Sequence, residues 1–346
     1  MLKLLINFAE KGLLPDSLIR VGIRRLCRVR LKWAKEIGPE ALEDHHQEWV
    51  ENLKESPIAL VPEKANEQHY EVPPIFFETV LGEHLKYSSG FWPNGVNTLD
   101  DSEQAMLQVT MQNADLKDNM DILELGCGWG SLTCLMAKKL PNSNITAVSN
   151  SKDQRGFIMS RCQKEGIKNV NVITADMNDF NIDLKFDRVV SVEMFEHMRN
   201  YQKLLKKVDS FLKPKGKLFV HIFSHNEMVY PFEDKSEGDW MAREFFSGGI
   251  MPSHKLLLYF QDNLKIDKVW HFSGEHYSKT SWAWLKKMDD NKEKILQIFS
   301  ETYGVENSKM WWQRWRIFFM SCAELFGMSE GNEWGVSHYR FKKSND

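Results

Sequence analysis

Between residues 121 and 225 the sequence alternates short apolar runs with longer segments of helical character. Helices are predicted between the runs, for example over "SLTCLMAKKL", which follows the first of them. Strands that alternate with helices in this way form a parallel sheet covered on both faces. The pattern therefore predicts a doubly wound α/β fold. The predicted strands are residues 121–126, 144–151, 170–176, 186–193 and 216–225.

The regions around this core differ from it in composition. Residues 1–100 are predicted to form a helical arm, and residues 101–225 the Rossmann-like core. Residues 226–265 break the alternation and are rich in Trp, Phe, Met and Gly, so we expect an inserted lid. Residues 266–346 are expected to complete the core and the substrate pocket. The sheet should resume near "KVWHFSGEHYSKT", and "SHYRFKK" is predicted to be a final edge strand.

The arm contains a basic amphipathic segment, "DSLIRVGIRRLCRVRLKWAKE". Such a helix can bind a membrane surface, or it can pack its apolar stripe on the main domain with its arginines solvated or paired. The net charge of −3 gives no support for an anionic partner, so we favour packing. The apolar stripe consists of Leu18, Val21, Leu26 and Leu31.

The first predicted strand runs into the glycine-rich loop Gly126–Gly130 and then into a helix. Glycines let the backbone approach a ligand closely, and the amides of a helix N-terminus face it. The position suits a dinucleotide fold, but the spacing is G-x-G-x-G rather than G-x-G-x-x-G. An NAD site also expects a carboxylate ~20 residues later. Here that strand end carries Ser149, Asn150 and Ser151, so the loop argues against NAD.

S-adenosylmethionine (SAM) suits the loop better, because it lacks the pyrophosphate that needs the longer turn. Asp176 ends the third predicted strand, where it can accept a hydrogen bond from the adenine amino group. Met177 can pack against the ring. A tight turn without a ligand is the alternative, and the presence of Asn150 and Asp176 favours SAM over it. The His and Cys residues lack zinc-site spacing, so no metal is predicted.

The fourth predicted strand ends in a group of titratable residues, Glu193, Glu196 and His197. An aliphatic amine is mostly protonated at neutral pH and must lose a proton before it can attack a methyl group. Paired carboxylates can hold the ammonium and an imidazole can relay the proton. The alternative is that the acids only favour the dipole of a first helical turn. Beside a predicted SAM loop, we favour the catalytic role.

Aromatic residues are abundant, with 12 tryptophans and 21 phenylalanines in 346 residues. Most aromatic side chains pack in protein cores, but some can enclose a flat amine and its charge by cation–π contact. The candidates for substrate binding are Phe91, Trp92, Trp240, Phe246, Trp315 and Phe326.

Charge, cysteine content and hydropathy limit the partners and the cellular location that we expect. The slightly negative net charge argues against a nucleic-acid partner. Five cysteines without paired spacing indicate free thiols and a cytoplasmic location. The opening "MLKLLINFAEKGLL" is short and interrupted by charges, so we expect no signal peptide. No segment approaches the ~20 apolar residues of a transmembrane helix.

Several segments, taken in order, resemble the coclaurine N-methyltransferase group, which is related to the cyclopropane fatty acyl phospholipid synthases. The similarity covers nearly the whole chain from about Leu13. It implies a class I SAM methyltransferase fold in which the arm and the lid close over a small amine. The segments are "NEQHYEVPPIFFETVLGEHLKYSSGFW", "ILELGCGWGSL", "SVEMFEHMRNY", "SGGIMPS", "LLLYFQD", "SGEHYSKT" and "SCAELFG".

The resemblance also implies roles for individual residues. The catalytic E-x-x-E-H motif falls on Glu193, Glu196 and His197. The implied SAM contacts are Tyr87, Ser88, Gly126, Gly128, Asn150, Gln154, Asp176, Met177 and Ser191.

Two other functions compete with amine methylation. Cyclopropane synthases transfer a methyl group to a lipid alkene and hold a small anion partly with a cysteine in a "YSC" block. This chain has Tyr87-Ser88-Ser89 there, which disfavours that chemistry. A non-catalytic SAM-binding scaffold has no use for the Glu/Glu/His cluster. The identity of the amine, the number of methyl transfers and the oligomeric state, a homodimer included, stay open.

Overall fold

The computed structural model describes residues 2–60 and 72–344. The beginning of the "NEQHYEV" segment, residues 66–71, and the part of the predicted arm at 61–71 lie outside the described residues. The strands are β1 (Asp121–Leu125), β2 (Asn144–Ser149), β3 (Val170–Thr174), β4 (Phe186–Val192), β5 (Leu212–His225), β6 (Tyr230–Pro231), β7 (Ile250–Met251), β8 (Leu264–Ser273) and β9 (Trp334–Lys343).

The main sheet has the order β3-β2-β1-β4-β5-β9-β8, and its first five strands are parallel. These five strands are the ones predicted from the apolar runs, so the doubly wound α/β prediction is confirmed. β9 runs antiparallel to both β5 and β8, which makes the sheet mixed. Strands β6 and β7 form a separate pair within the segment between β5 and β8.

The prediction that "SHYRFKK" forms an edge strand is wrong. This segment lies in β9, which pairs on both sides, and β8 is the strand at the edge. Its polar residues His338 and Arg340 are buried, and each has a partner. His338 contacts the ring of His221, and Arg340 donates to Asp267 at 2.6 Å. A strand can therefore carry polar residues into the middle of a sheet when each is paired.

Helices cover both faces of the sheet and extend beyond it. Several helices begin with an N-cap residue in an extended conformation. For example, the hydroxyl of Thr98 accepts a hydrogen bond from the amide of Asp101 at the start of the helix Leu99–Asn113. The helices are α1 (Leu2–Glu10), α2 (Asp16–Glu55), α3 (Pro74–Val80), α4 (Leu99–Asn113), α5 (Ser131–Lys139), α6 (Lys152–Lys164), α7 (Tyr201–Phe211), α8 (Trp240–Glu244), α9 (Gly274–Asp290), α10 (Lys292–Tyr303) and α11 (Val305–Phe326).

The long helix α2 carries the basic segment and packs on α11. Arg20 and Arg24 both donate to Glu324, at 2.5 and 2.9 Å. The helix bends at Gly38, whose φ is 81°, and continues from Pro39. Arg20 and Arg24 are thus paired, as the favoured interpretation expected.

The packed stripe of α2 differs from the predicted one. Buried or half-buried contacts come from Ile19, Ile23, Cys27 and Leu31. The predicted Leu18, Val21 and Leu26 instead keep 57%, 51% and 44% of their surface exposed. Across the described ranges, no helix combines the length and apolar character that crossing a membrane requires.

Candidate active site

The site is built where the parallel strands end. The glycine-rich loop follows β1, Asn150 follows β2, Asp176 lies just after β3 and Glu193 follows β4 directly. Ligands of open α/β sheets bind outside the carboxyl ends of the strands, and these four features meet there.

The glycine loop has a backbone that only glycine adopts without strain. Gly126, Gly128 and Gly130 have φ of 78°, 51° and 77°. The amide of Gly126 donates to the carbonyl of Val148 in β2 at 3.0 Å, which fixes the loop beside the sheet. A Cβ on Gly126 would lie 2.7 Å from the Cβ of Met194. The loop therefore leaves no room for a side chain between β1 and the segment after β4.

A first cavity lies against this loop. It brings together eight of the nine SAM contacts expected from the resemblance. The exception is Ser191, which is buried and donates its hydroxyl to the carbonyl of Leu125 at 3.0 Å. The eight residues are Tyr87, Ser88, Gly126, Gly128, Asn150, Gln154, Asp176 and Met177.

Buried polar atoms around the first cavity indicate a polar ligand. The Gln154 side-chain oxygen accepts from Ser149 at 2.6 Å, but its amide nitrogen has no acceptor among the described residues. The Ser131 hydroxyl and the Trp129 indole nitrogen are likewise buried without a partner in the described ranges. All three residues line the cavity. Buried donors are almost always paired, so these fit a nucleoside and amino-acid ligand such as SAM.

A second cavity adjoins the first and has apolar walls. Tyr87, Glu193 and His197 line both cavities, whereas Glu196 lines only the second. The Glu/Glu/His cluster therefore lies between a polar pocket and an aromatic one. Prominent aromatic wall residues are Phe223, Phe232, Phe246, Tyr277, Phe318 and Phe326.

The structure divides the six predicted aromatic candidates. Phe246 and Phe326 line the second cavity, whereas the other four line neither cavity. Phe91 packs against the rings of Phe272 and His276 on β8 and α9. The indole nitrogen of Trp92 donates to a threonine of α9. That of Trp240 donates to a glutamate of α1, and Trp315 is fully buried in the core.

Glu193 is held by contacts from three directions. Its amide donates to the carbonyl of His221 at 2.8 Å, and its φ is 47°, a left-handed conformation that strains a non-glycine residue. The Tyr277 hydroxyl donates to its Oε2 at 2.6 Å, and the Nε2 of His221 lies 3.3 Å from its Oε1. Burial raises the pKa of Glu193 to about 7, while Lys86 and Tyr277 act in the opposite direction.

Glu196 and His197 lie in the 3-10 turn Phe195–His197 that follows. Glu196 is buried, and its Oε2 has no hydrogen-bond partner within the described chain. Burial and then the Glu193 carboxylate raise its pKa well above the usual range. Burial lowers the pKa of His197 to about 4, so its imidazole is neutral. The cluster thus offers one carboxyl group with a pKa near 7, a second carboxyl group whose burial favours its neutral form, and one neutral imidazole.

Three residues of the site were not singled out from the sequence. Lys86 is buried, lines the first cavity and donates to the Ser88 hydroxyl and to the Ser89 carbonyl. Burial lowers its pKa to about 8. Tyr277 and His221 hold Glu193. Lys86 and Tyr277 fall within segments that carried the resemblance, which was the available signal for them.

Proteins of known activity are similar to this chain over most of its length. A family model described as mycolic acid cyclopropane synthetase matches residues 61–334. (S)-coclaurine N-methyltransferase of Thalictrum flavum subsp. glaucum is 37% identical over 98% of this chain and 95% of its own length. Cyclopropane-fatty-acyl-phospholipid synthase of Escherichia coli K12 is 30% identical over 78% of this chain and 66% of its own.

A solved structure agrees with the sequence comparisons. Coclaurine N-methyltransferase bound to N-methylheliamine and S-adenosylhomocysteine (SAH) superimposes with a TM-score of 0.95 and 34% identity. The match covers 98% of this chain and 99% of that one. It includes the sheet, the helices around it and the N-terminal helical arm.

Proposed function

We propose that this SAM-dependent N-methyltransferase methylates the nitrogen of a small aromatic, alkaloid-type amine. The chain belongs to the mycolic acid cyclopropane synthetase family, and within it to the coclaurine N-methyltransferase group. The observation that carries the proposal is that Glu193 and His197 line both the polar cavity and the aromatic cavity. A substrate nitrogen at that boundary meets an acceptor for its proton on one side and the methyl donor on the other.

The aromatic cavity suits a flat organic cation. Its phenylalanines supply apolar surface and ring faces, and a cation against such faces is stabilised by about 0.5–2 kcal/mol. Glu193 in its ionised form accepts a hydrogen bond from the ammonium. A nearby positive charge also favours ionisation of Glu196, whose pKa burial raises well above its usual range. The two carboxyl groups thereby hold the nitrogen in one orientation, and positioning of this kind supplies much of an enzymatic rate.

Glu193 and His197 are the groups that accept the proton of the ammonium. A general base works best when its pKa lies near the working pH, and the pKa of Glu193 is about 7. His197 is neutral and can relay a proton, but because its pKa is about 4 it is a weaker base than Glu193 and does not retain the proton. SAM, when bound, supplies a methyl group on a positively charged sulfur; the lone pair of the deprotonated amine takes the methyl group, and the sulfur leaves as part of SAH.

We propose that the residues of the first cavity hold SAM, with Asp176 and Asn150 at the strand ends facing its nucleoside.

We further propose that residues 226–265 act as a lid and that residues 1–100 form the arm that closes the other side. The lid segment contributes Ser247 and Gly248 to the first cavity and Phe246 to the second. The arm region contributes Tyr87 and Ser88. A cytoplasmic location is proposed because all five cysteines are free thiols.

Light scattering, which measures the molar mass in solution, tests whether the protein is a homodimer, as the sequence left open.

The function is tested by identifying the product of methyl transfer. The enzyme is incubated with methyl-labelled SAM and either phenethylamine, N-methylphenethylamine, 1,2,3,4-tetrahydroisoquinoline or phospholipid vesicles. We expect label on the nitrogen of at least one amine and none in the fatty acyl chains. Label in the acyl chains would establish alkene methylation instead. SAM binding without any transfer would support the scaffold.

The site is tested by two variants with a matched control. Glu196→Gln and His197→Asn should abolish turnover while SAM affinity, measured by calorimetry, stays within about twofold of the wild type. Glu83→Gln, which changes an exposed carboxylate, should alter neither quantity. Unchanged turnover in both site variants would refute the assignment.

A further inference from the structure

A chain of hydrogen bonds leads from the Glu193 carboxylate through the sheet. His221 on β5 and His338 on β9 are directly opposite each other in the antiparallel pair, and both side chains are fully buried. The Nε2 of His338 lies 2.7 Å from the Nδ1 of His221. At one end, His221 Nε2 is 3.3 Å from Glu193 Oε1. At the other, the side-chain nitrogen of Asn113 is 3.0 Å from His338 Nδ1.

The direction of this chain follows from its outer end. An amide nitrogen can only donate, so His338 Nδ1 accepts and the single proton of the neutral ring is on Nε2. That N–H donates to His221 Nδ1, which places the proton of His221 on its Nε2. Both rings are neutral, because burial lowers both pKa values well below the usual range. An N–H therefore faces the Glu193 carboxylate.

We propose that His338 is a positioning residue for amine methylation, which acts through His221 to direct an N–H at Glu193 and so keeps that carboxylate ionised and oriented. The inference rests on the proposed role of Glu193 as the group that binds the ammonium. This series of hydrogen bonds orients the Glu193 carboxylate and does not conduct protons, because the amide of Asn113 cannot pass a proton to solvent. Asn113 is the last residue of α4, so the orientation is set outside the site itself.

Other groups also face Glu193, and the variants below leave them in place. Lys86 favours the ionised form, as do the Tyr277 hydroxyl and the Ser89 amide. Glu196 and Cys322 contribute in the opposite sense once they are charged, but burial raises the pKa of both groups and so favours their neutral forms. The neutral His197 completes the set. Around His338 itself lie the rings of Phe219 and Phe272, at 4.9 and 4.6 Å between centroids.

Two substitutions of His338 separate orientation from packing. His338→Gln retains an N–H that can reach His221, whereas His338→Leu fills the space and removes the donor. Without the His338 donor, the His221 ring loses the partner that fixes its tautomer. The ionised form of Glu193 then loses the hydrogen bond from His221 that stabilises it. We expect the acid limb of the kcat/KM profile to move up by about one pH unit in the leucine variant, with the activity at high pH retained. The glutamine variant should follow the wild type.

The control is His254→Leu, which removes another imidazole hydrogen-bonded to β9, at Ser337, without a link to Glu193. It should leave the profile in place. An equal loss of activity at every pH in the leucine variant would indicate packing alone and would overturn the proposal. An unshifted profile in that variant would do the same, as would a shift of the same size in the control.

A second measurement needs no substrate and no variant of doubtful folding. Nitrogen-15 spectra of the histidine side chains in the resting wild-type protein report the tautomer of each ring. We expect His221 and His338 to be neutral with the proton on Nε2 between about pH 6 and about pH 9. Protons on Nδ1 would overturn the proposal. Because the spectra do not depend on turnover, an enzyme that methylates no amine yet shows the expected tautomers would contradict only the proposed function.

Discussion

Removal of the Tyr277 hydroxyl is expected to move the pH dependence of methylation upward. Tyr277 donates to Glu193 Oε2 at 2.6 Å, and this hydrogen bond opposes the effect of burial on the carboxylate. In the wild type, the pKa of Glu193 is about 7, so the form that holds the ammonium is lost as the pH falls through that value. Tyr277→Phe removes a donor to the charged form only. The pKa of Glu193 must therefore rise.

The size of the effect follows from the strength of such a bond. A hydrogen bond to a charged group contributes about 1.5–3 kcal/mol, which corresponds to about 1–2 pKa units. A carboxylate that is half ionised at pH 7 would then be about 1–10% ionised in the variant. We expect kcat/KM at pH 7 to fall about 5- to 50-fold, and the difference to disappear about two units above the new pKa.

The assay is kcat/KM for an accepted amine, measured against pH for the variant and the wild type side by side. Titration of the amine itself affects both equally and cancels in the ratio. Tyr339→Phe is the matched control, because this buried tyrosine donates to the carbonyl of His254 at 2.6 Å, away from Glu193. An unmoved profile in Tyr277→Phe, or the same displacement in Tyr339→Phe, would refute the reasoning.

Three further predictions concern the first cavity and the core beneath it. Gly126→Ala adds a Cβ where φ is 78°, so calorimetric affinity for SAH should fall about tenfold or more, whereas Gly156→Ala in α6 has open space and should change nothing. Asp176→Asn removes a charged acceptor and should weaken SAH binding about tenfold; equal affinity would exclude a contact there. Burial raises the pKa of Glu124 to about 8 in the folded protein. The protonated side chain therefore stabilises the fold at low pH, and this contribution is lost as the pH rises from the pKa of Glu124 in the unfolded chain through about 8. Glu124→Gln should therefore melt higher than the wild type at alkaline pH and equally at pH below the unfolded value; parallel melting curves would contradict this.

The sequence predicted the central sheet well, because buried parallel strands are continuous apolar runs with little ambiguity. The run at 121–126, for example, corresponds to β1 (Asp121–Leu125). The last strand was predicted to lie at the edge, although its histidine and arginine are buried. Their partners come from β5, α4 and β8, and no local pattern reveals such distant pairs. On α2, the exposed Leu18 and Leu26 each precede a buried residue, so apolar residues occupy two neighbouring faces of the helix. The sequence does not tell which of the two faces packs on the domain.

The candidate site was predictable as far as it depends on strand ends. Residues at the carboxyl ends of β1 to β4 must converge, and Glu193 and Asp176 do so. Lys86, His221 and Tyr277 reach the cluster through tertiary contacts, and a fully buried lysine is an uncommon expectation for any sequence. The aromatic candidates show the same limit. Trp315 and Phe326 are both buried residues of α11, yet only the second lines the cavity.

The most direct test of the account compares the binding of an amine and its oxygen analogue to the SAH-loaded enzyme. Calorimetry with 1,2,3,4-tetrahydroisoquinoline and isochroman isolates the nitrogen, because the two molecules share their shape. If Glu193 holds the ammonium, the amine should bind at least about tenfold more tightly to the wild type, and Glu193→Gln should erase that preference. Equal binding of the two molecules to the wild type, or a preference that survives in Glu193→Gln, would contradict the account.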